Sequence, residues 1–186
     1  MAETTQAKKP PQKSSKESDP KQLAMARTQG HAFNQAVQEI TRHVAHGAEK
    51  RAGDYLIGYA VEDAEGLYFL RDGILEWEEP QQTNAHVEVV VRDGADGRFI
   101  PGLTVRATLL DAGGNEVGSD VLPFLWHPWL YHYGRNWTLP GDGEYTLRVR
   151  VEVPDFPRHD RDNGKRFTEP VEVEFRGVRI KTGQKK

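Results

Sequence analysis

From Tyr55 onward the chain is a succession of short apolar or alternating runs, separated by clusters of Gly, Asp, Asn and Pro. This is the pattern of an all-β domain. Strands are predicted near 55–61, 67–70, 74–78, 85–92, 103–110, 121–126, 132–138, 143–153 and 170–180. The turns between them include Asp63-Ala64-Glu65-Gly66, Arg71-Asp72-Gly73, Asp93-Gly94-Ala95-Asp96-Gly97 and Pro140-Gly141-Asp142-Gly143. Residues 104–109 and 145–151 alternate strictly between apolar and polar, so one face of each is buried and the other is wet. The expected fold is an immunoglobulin-like antiparallel β-sandwich over 54–180, preceded by a helix and a disordered N-terminal tail.

The region before the sandwich has a different pattern. Residues 1–22 are rich in Lys, Pro, Ser and Gln and contain almost nothing to bury, which predicts a disordered basic tail. Leu23, Phe33, Val37, Ile40 and Val44 fall at the three- and four-residue steps of one helical face. A helix is therefore expected over 23–53, with Asp19-Pro20 as its start signal. Because Gly30 interrupts the pattern, it is expected to be strongest from His31 to Lys50. Its histidines, His31, His43 and His46, read as solvent-exposed. Residues 181–186 read as a basic C-terminal tail.

The chain has 186 residues, 37% of them hydrophobic, enough for one modest core. Having no cysteine, it cannot form disulfides, thiolate metal sites or a cysteine nucleophile. No run approaches the roughly 18 apolar residues of a membrane span. As written, without an apolar leader, the chain is expected in the cytoplasm. The net charge of −3 is unevenly spread. Residues 1–22 carry five lysines against three acids, and 179–186 carry four cations and no acid, so the body between them is acidic. An acidic body repels nucleic acid and attracts cations.

There is no G-x-S-x-G elbow, no phosphate-binding or dinucleotide loop and no H-E-x-x-H. The histidines of the β region remain. His86 and Glu88 stand two apart in a strand and so project from one face, half of a mixed nitrogen and oxygen metal site. His127 and His132 lie within 126–137, which holds three of the four tryptophans and suggests either a packed core or a walled pocket. His159 falls in a loop beside Arg158 and Asp160.

Three of these segments occur together in a recognisable order: His86-Val87-Glu88, then His132-Tyr133-Gly134-Arg135-Asn136, then Arg158-His159 followed by Phe167-Thr168-Glu169-Pro170. Residues from about 84 to 176 resemble the periplasmic high-affinity iron transport protein family, metal-binding immunoglobulin-like domains associated with ferrous iron uptake and often found with copper. The resemblance implies that His86, Glu88, His132 and His159 help to bind the ion, together with a methionine upstream of the H-Y-G segment. That methionine aligns with Leu125, and losing a thioether removes the ligand that most favours Cu(I). Either His127 takes its place, giving four imidazoles and a carboxylate, or three imidazoles and Glu88 form a four-ligand set. The resemblance also implies a homodimer with sites near the subunit interface, and a periplasmic setting if a leader has been removed.

The function expected is non-catalytic capture and delivery of iron or copper, with zinc also compatible. Neutral imidazoles bind the ion, so affinity is expected to collapse as they protonate near pH 6. The alternative is an immunoglobulin-like interaction module that docks a protein partner through the N-terminal helix and the aromatic segment. A redox enzyme using a histidine-bound metal is a third reading that no residue requires. Neither nucleic-acid binding nor membrane insertion is expected.

Overall fold

The computed structural model describes residues 11–41 and 46–185. Helix α1 (Pro20–Glu39) is followed by eleven strands: β1 (His46–Ala52), β2 (Tyr55–Glu62), β3 (Leu67–Arg71), β4 (Ile74–Glu78), β5 (Ala85–Asp93), β6 (Val105–Leu110), β7 (Glu116–Leu122), β8 (Phe124–Trp126), β9 (Tyr131–Trp137), β10 (Gly143–Val151) and β11 (Val171–Ile180). A five-stranded sheet in the order β1-β2-β5-β9-β8 faces a four-stranded sheet in the order β11-β10-β6-β7, and β3-β4 stands out as a separate hairpin. Every strand pair is antiparallel. The expected sandwich is the fold observed.

The alternation read from the sequence separates the two faces. Ile57, Tyr59, Val87, Val89, Val91 and Tyr133 of one sheet pack against Val105, Ala107, Leu109, Leu147, Val149 and Phe175 of the other. Burying such side chains contributes roughly 1.5–3 kcal/mol each, before chain entropy is subtracted. β5 departs from simple alternation, because all nine of its residues are buried. Its second face is covered by α1: Val37 and Ile40 pack on Ala60 of β2, Val90 of β5 and Leu130, and Phe33 lies 5.6 Å from Phe99.

Asp19 caps α1, accepting from the Gln22 backbone N–H while the Gln22 side chain accepts from the Asp19 N–H, a reciprocal capping box. The helix runs straight through Gly30, and its well-formed part lies on both sides of that residue rather than chiefly from His31 to Lys50. A Cβ there would lie 1.7 Å from the Asp96 carbonyl oxygen, so Gly30 lets the helix and the 93–98 turn approach closely. The low helical propensity of glycine is outweighed by tertiary contact.

Three other expectations need correcting. The helix ends near residue 40 rather than 53, and 46–52 is strand β1, paired with β2 along its whole length. His-Gly-Ala-Glu-Lys-Arg-Ala has helix-favouring composition, but pairing at the edge of an existing sheet overrides it. Residues 11–19 are not a free tail: Ser15 Oγ donates to Asp160 at 2.7 Å, and Lys13 exchanges two hydrogen bonds with Asn163. Residues 1–10 and His43 lie outside the described residues. Nor are 181–185 a free basic tail. Ala64 N–H donates to the Gly183 carbonyl at 2.9 Å and Lys185 N–H to the Ala64 carbonyl at 2.8 Å, laying this segment along the loop after β2. Strand β7 was also missed, since Gly118, Ser119 and Asp120 give it little strand propensity and its pairing with β6 makes it.

Candidate metal centre

The outer face of the five-stranded sheet carries the site. On β5, His86 and Glu88 project outward, away from the core-facing Val87 and Val89. The β5–β9 register pairs His86 with Asn136 and Glu88 with Gly134, so His132 lies one step further along the same face of β9. Among the described residues, His86, Glu88 and His132 form a group whose ligand atoms all lie within 4.8 Å of one another. The His132 Nε2 to Glu88 Oε1 distance is 3.6 Å, and His86 Nε2 to Glu88 Oε1 is 4.0 Å. The two imidazole rings meet edge to face, with centroids 6.0 Å apart.

All three side chains are buried, and their polar atoms are poorly satisfied. His86 Nε2, Glu88 Oε2 and both ring nitrogens of His132 have no hydrogen-bond partner. Leaving such groups unpaired costs roughly 1–3 kcal/mol each, so several of them converging on one point mark a place prepared for a ligand.

The orientation of His86 is set by Asn136. His86 Nδ1–H donates to Asn136 Oδ1 at 2.8 Å, which leaves Nε2 as a lone-pair donor toward Glu88. Asn136 is itself held by the loop after β2, donating to the Glu65 carbonyl at 2.7 Å and accepting from the Glu65 N–H at 3.2 Å. The glycine of the same segment is equally constrained. A Cβ on Gly134 would stand 3.0 Å from His86 Nε2 and 3.0 Å from His132 Cδ2, inside the space between the two rings. Sequence spacing by itself gives Asn136 and Gly134 no role, although both belong to the H-Y-G-x-N segment.

Burial dominates the electrostatics. It lowers the pKa of His86 and, with the neighbouring His86 ring, takes His132 down to about 4. Burial also pushes Glu88 up to about 8, reinforced by the carboxylates of Glu62 and Glu65. Without a cation, the cluster at pH 7 is therefore two neutral imidazoles and a protonated acid. The expected loss of binding near pH 6 does not fit this environment, because burial lowers both histidines from their ordinary range, His132 to about 4.

A small cavity of about 130 Å³ opens beside the cluster, lined by Glu62, Glu65, Glu88, His127, His132 and Lys185 with apolar walls from Ile40, Trp129 and Leu130. His127 is at its rim, half-buried, its ring against Trp129 and its Nδ1 without a partner. Leu125 pairs directly with His132 across β8 and β9, so the position aligned with the family methionine does face this histidine. His159 is not brought to the cluster. Its side chain is 93% exposed, and Nδ1 lies 3.2 Å from Glu17. His31 is exposed, as expected.

Glu62, Glu65 and Lys185 were not anticipated. They lie outside the stretch that carries the resemblance, and no local spacing links a turn glutamate with a lysine 120 residues away. Lys185 Nζ donates to Glu65 Oε2 at 2.7 Å and forms an ion pair with Glu62. Burial raises the Glu65 carboxyl and lowers the Lys185 ammonium, but their contact outweighs it, leaving Glu65 below and Lys185 above its ordinary value.

Comparison with known proteins agrees with this fold. Among solved structures, the copper-reconstituted P19 protein of Campylobacter jejuni matches with 20% identity and a TM-score of 0.61, covering 76% of this chain and 98% of that one. FetP of uropathogenic E. coli strain F11 matches with 19% identity and a TM-score of 0.59, covering 73% and 94%. At these identities the likeness establishes a shared fold. No curated protein matches the sequence. A family model described as Fe2+ transport protein matches residues 76–179, more than half of the chain and the whole of the β5–β9 pair that bears His86, Glu88 and His132. The chain belongs to the Fe2+ transport protein family.

Proposed function

We propose that this protein captures and delivers a transition-metal ion, iron or copper, without transforming it, and that His86, Glu88 and His132 hold the ion. The observation that carries this reading is the convergence of three buried side chains whose ligand atoms lack partners. Two imidazoles and a carboxylate suit Fe(II), Cu(II) and Zn(II). His127 is the auxiliary ligand, since its unpartnered Nδ1 stands at the rim of the same cavity. The copper-reconstituted state of the C. jejuni relative supports copper as one cargo.

His159 acts in this reading from a second copy of the chain. Its exposure leaves it available to a neighbour. A homodimer is further supported by the apolar surface of the β3-β4 hairpin and the aromatic run: Tyr68, Leu75, Trp77, Phe124 and Trp126 are exposed and line one broad depression that also reaches His127 and His132. A protein partner at α1 would have to meet its outward residues, such as Met25, because Val37 and Ile40 are buried against the sheet. The setting proposed is extracytoplasmic, consistent with the FetP relative having been expressed in the periplasm. Among the described residues, no helix is long and apolar enough to cross a membrane.

The test is calorimetric titration of wild type and His132→Ala with Cu(II), Zn(II) and, anaerobically, Fe(II). Tight binding by the wild type that is lost in the variant supports the assignment. Equal binding by both proteins, or none by the wild type, overturns it. Sedimentation of wild type and His159→Ala, with and without metal, tests the second copy.

A further inference from the structure

The family match ends at residue 179, yet the segment beyond β11 reaches the metal cluster. Three backbone hydrogen bonds hold it there: Gly183 N–H to the Asn84 carbonyl at 2.7 Å, Ala64 N–H to the Gly183 carbonyl, and Lys185 N–H to the Ala64 carbonyl. They aim the Lys185 side chain at two carboxylates. Glu62 sits opposite His86 in the β2–β5 register, and Glu65 comes from the loop that follows β2. Glu65 faces two ways. Its Oε2 accepts from Lys185 Nζ at 2.7 Å, while its Oε1 lies 3.6 Å from His86 Nε2, a fully buried nitrogen with no hydrogen-bond partner.

We propose that Glu65 is a further ligand to the metal, and that Lys185 is a tethered cation which occupies Glu62 and Glu65 until a metal ion displaces it. This inference rests on the reading that His86, Glu88 and His132 bind the ion. The physical reason is charge. Two carboxylates beside a pair of buried imidazoles attract any cation, and a neighbouring ammonium repels an incoming dication while screening the carboxylates that would hold it. A divalent ion at His86 outcompetes a single positive charge for Glu65, and the ammonium, on a long and partly exposed side chain, moves toward solvent. The lysine therefore sets a threshold: monovalent ions gain nothing over it, while a divalent transition metal does.

Wild type, Lys185→Gln, Lys185→Met, Lys185→Arg, Glu65→Gln and His132→Ala are titrated with Cu(II) and with Zn(II), their folds checked by thermal melting. Either neutral Lys185 substitution retains all three backbone bonds and is expected to tighten binding by about tenfold or more, whereas Lys185→Arg stays within about twofold of wild type. Glu65→Gln is expected to weaken binding by about tenfold, the effect of losing one charged ligand. Neutral Lys185 variants that bind no more tightly than wild type overturn the tethered-cation role, and unchanged affinity in Glu65→Gln overturns the ligand role. If that happens while the wild type binds and His132→Ala does not, only this inference fails. A wild type that binds neither ion removes the metal-site reading as well.

Discussion

Asn136 Oδ1 accepts the Nδ1–H of His86 at 2.8 Å directly across the β5–β9 ladder, and this bond decides which imidazole nitrogen faces the cluster. The H-Y-G-x-N segment thus supplies a candidate ligand, a gap and an orienting amide from alternate positions of one strand. His132, Gly134 and Asn136 share a face because side chains repeat every second residue.

Replacing Asn136 with Leu removes the acceptor and the link to Glu65 while keeping the side-chain volume. Outer partners of metal-bound histidines commonly contribute 10- to 100-fold in affinity, so Asn136→Leu is expected to weaken Cu(II) or Zn(II) binding by about that range. Titration of the folded variant measures this; affinity within about twofold of wild type would show that His86 is oriented without Asn136.

Gly134→Ala places a methyl group 3.0 Å from both His86 Nε2 and His132 Cδ2. The rings must part, so metal affinity is expected to fall at least tenfold, while the cost to folding stays at about 1–3 kcal/mol, typical of a misplaced methyl. Denaturant unfolding and titration on the same sample separate the two effects. Loss of stability with intact affinity would contradict the packing argument.

The pH dependence follows from Glu88. Its carboxyl, raised to about 8, must lose its proton before it can bind an ion, whereas His132, lowered to about 4, is already neutral. Affinity should therefore rise by about tenfold per pH unit toward pH 8, with about one proton released per ion, and level off above it. Stability of the metal-free protein has the matching sign. Glu88 is raised above its ordinary 4.5, so its contribution is present below that pH and is lost as pH rises through about 8. His132 contributes in the opposite sense: its share is present above 6.5 and lost as pH falls through about 4. Glu88→Gln stays neutral throughout and is expected to retain stability from pH 4.5 to 8 where wild type loses it. Parallel melting curves for the two proteins across that window would refute this account.

Leu125 pairs with His132 at the position where the family resemblance implies a methionine. Leu125→Met conserves volume, which usually costs less than about 1.5 kcal/mol, and adds a thioether beside the cluster. Cu(I) affinity, measured by competition with a chromogenic chelator, is expected to rise at least tenfold while Zn(II) affinity stays nearly constant, because soft sulfur prefers the softer ion. An equal response of both ions would place residue 125 outside the coordination sphere.

The periodicity of two in residues 85–89, 104–109 and 145–151 was sufficient to predict a sandwich and to put His86 and Glu88 on one face. Such patterns are local, and the burial of one sheet face enforces them wherever the chain pairs. Residues 46–52 and 116–122 had no such pattern, since both are edge strands whose pairing partners supply what their own propensities lack.

Sequence alone determined the sandwich, the candidate ligands His86, Glu88 and His132, and the absence of sulfur ligands near them, because composition and strand alternation are properties of the chain itself. Tertiary structure decided what surrounds those ligands. Packing of α1 on Val90 and Leu130 buries the outer face of β5, and desolvation there shifts Glu88 and His132 away from their ordinary pKa values. The fold also brings Lys185 to Glu62 and Glu65, and leaves His159 in solvent beside Glu17. Burial, electrostatic environment and contacts between distant segments depend on where the chain returns in space, and sequence spacing does not encode that.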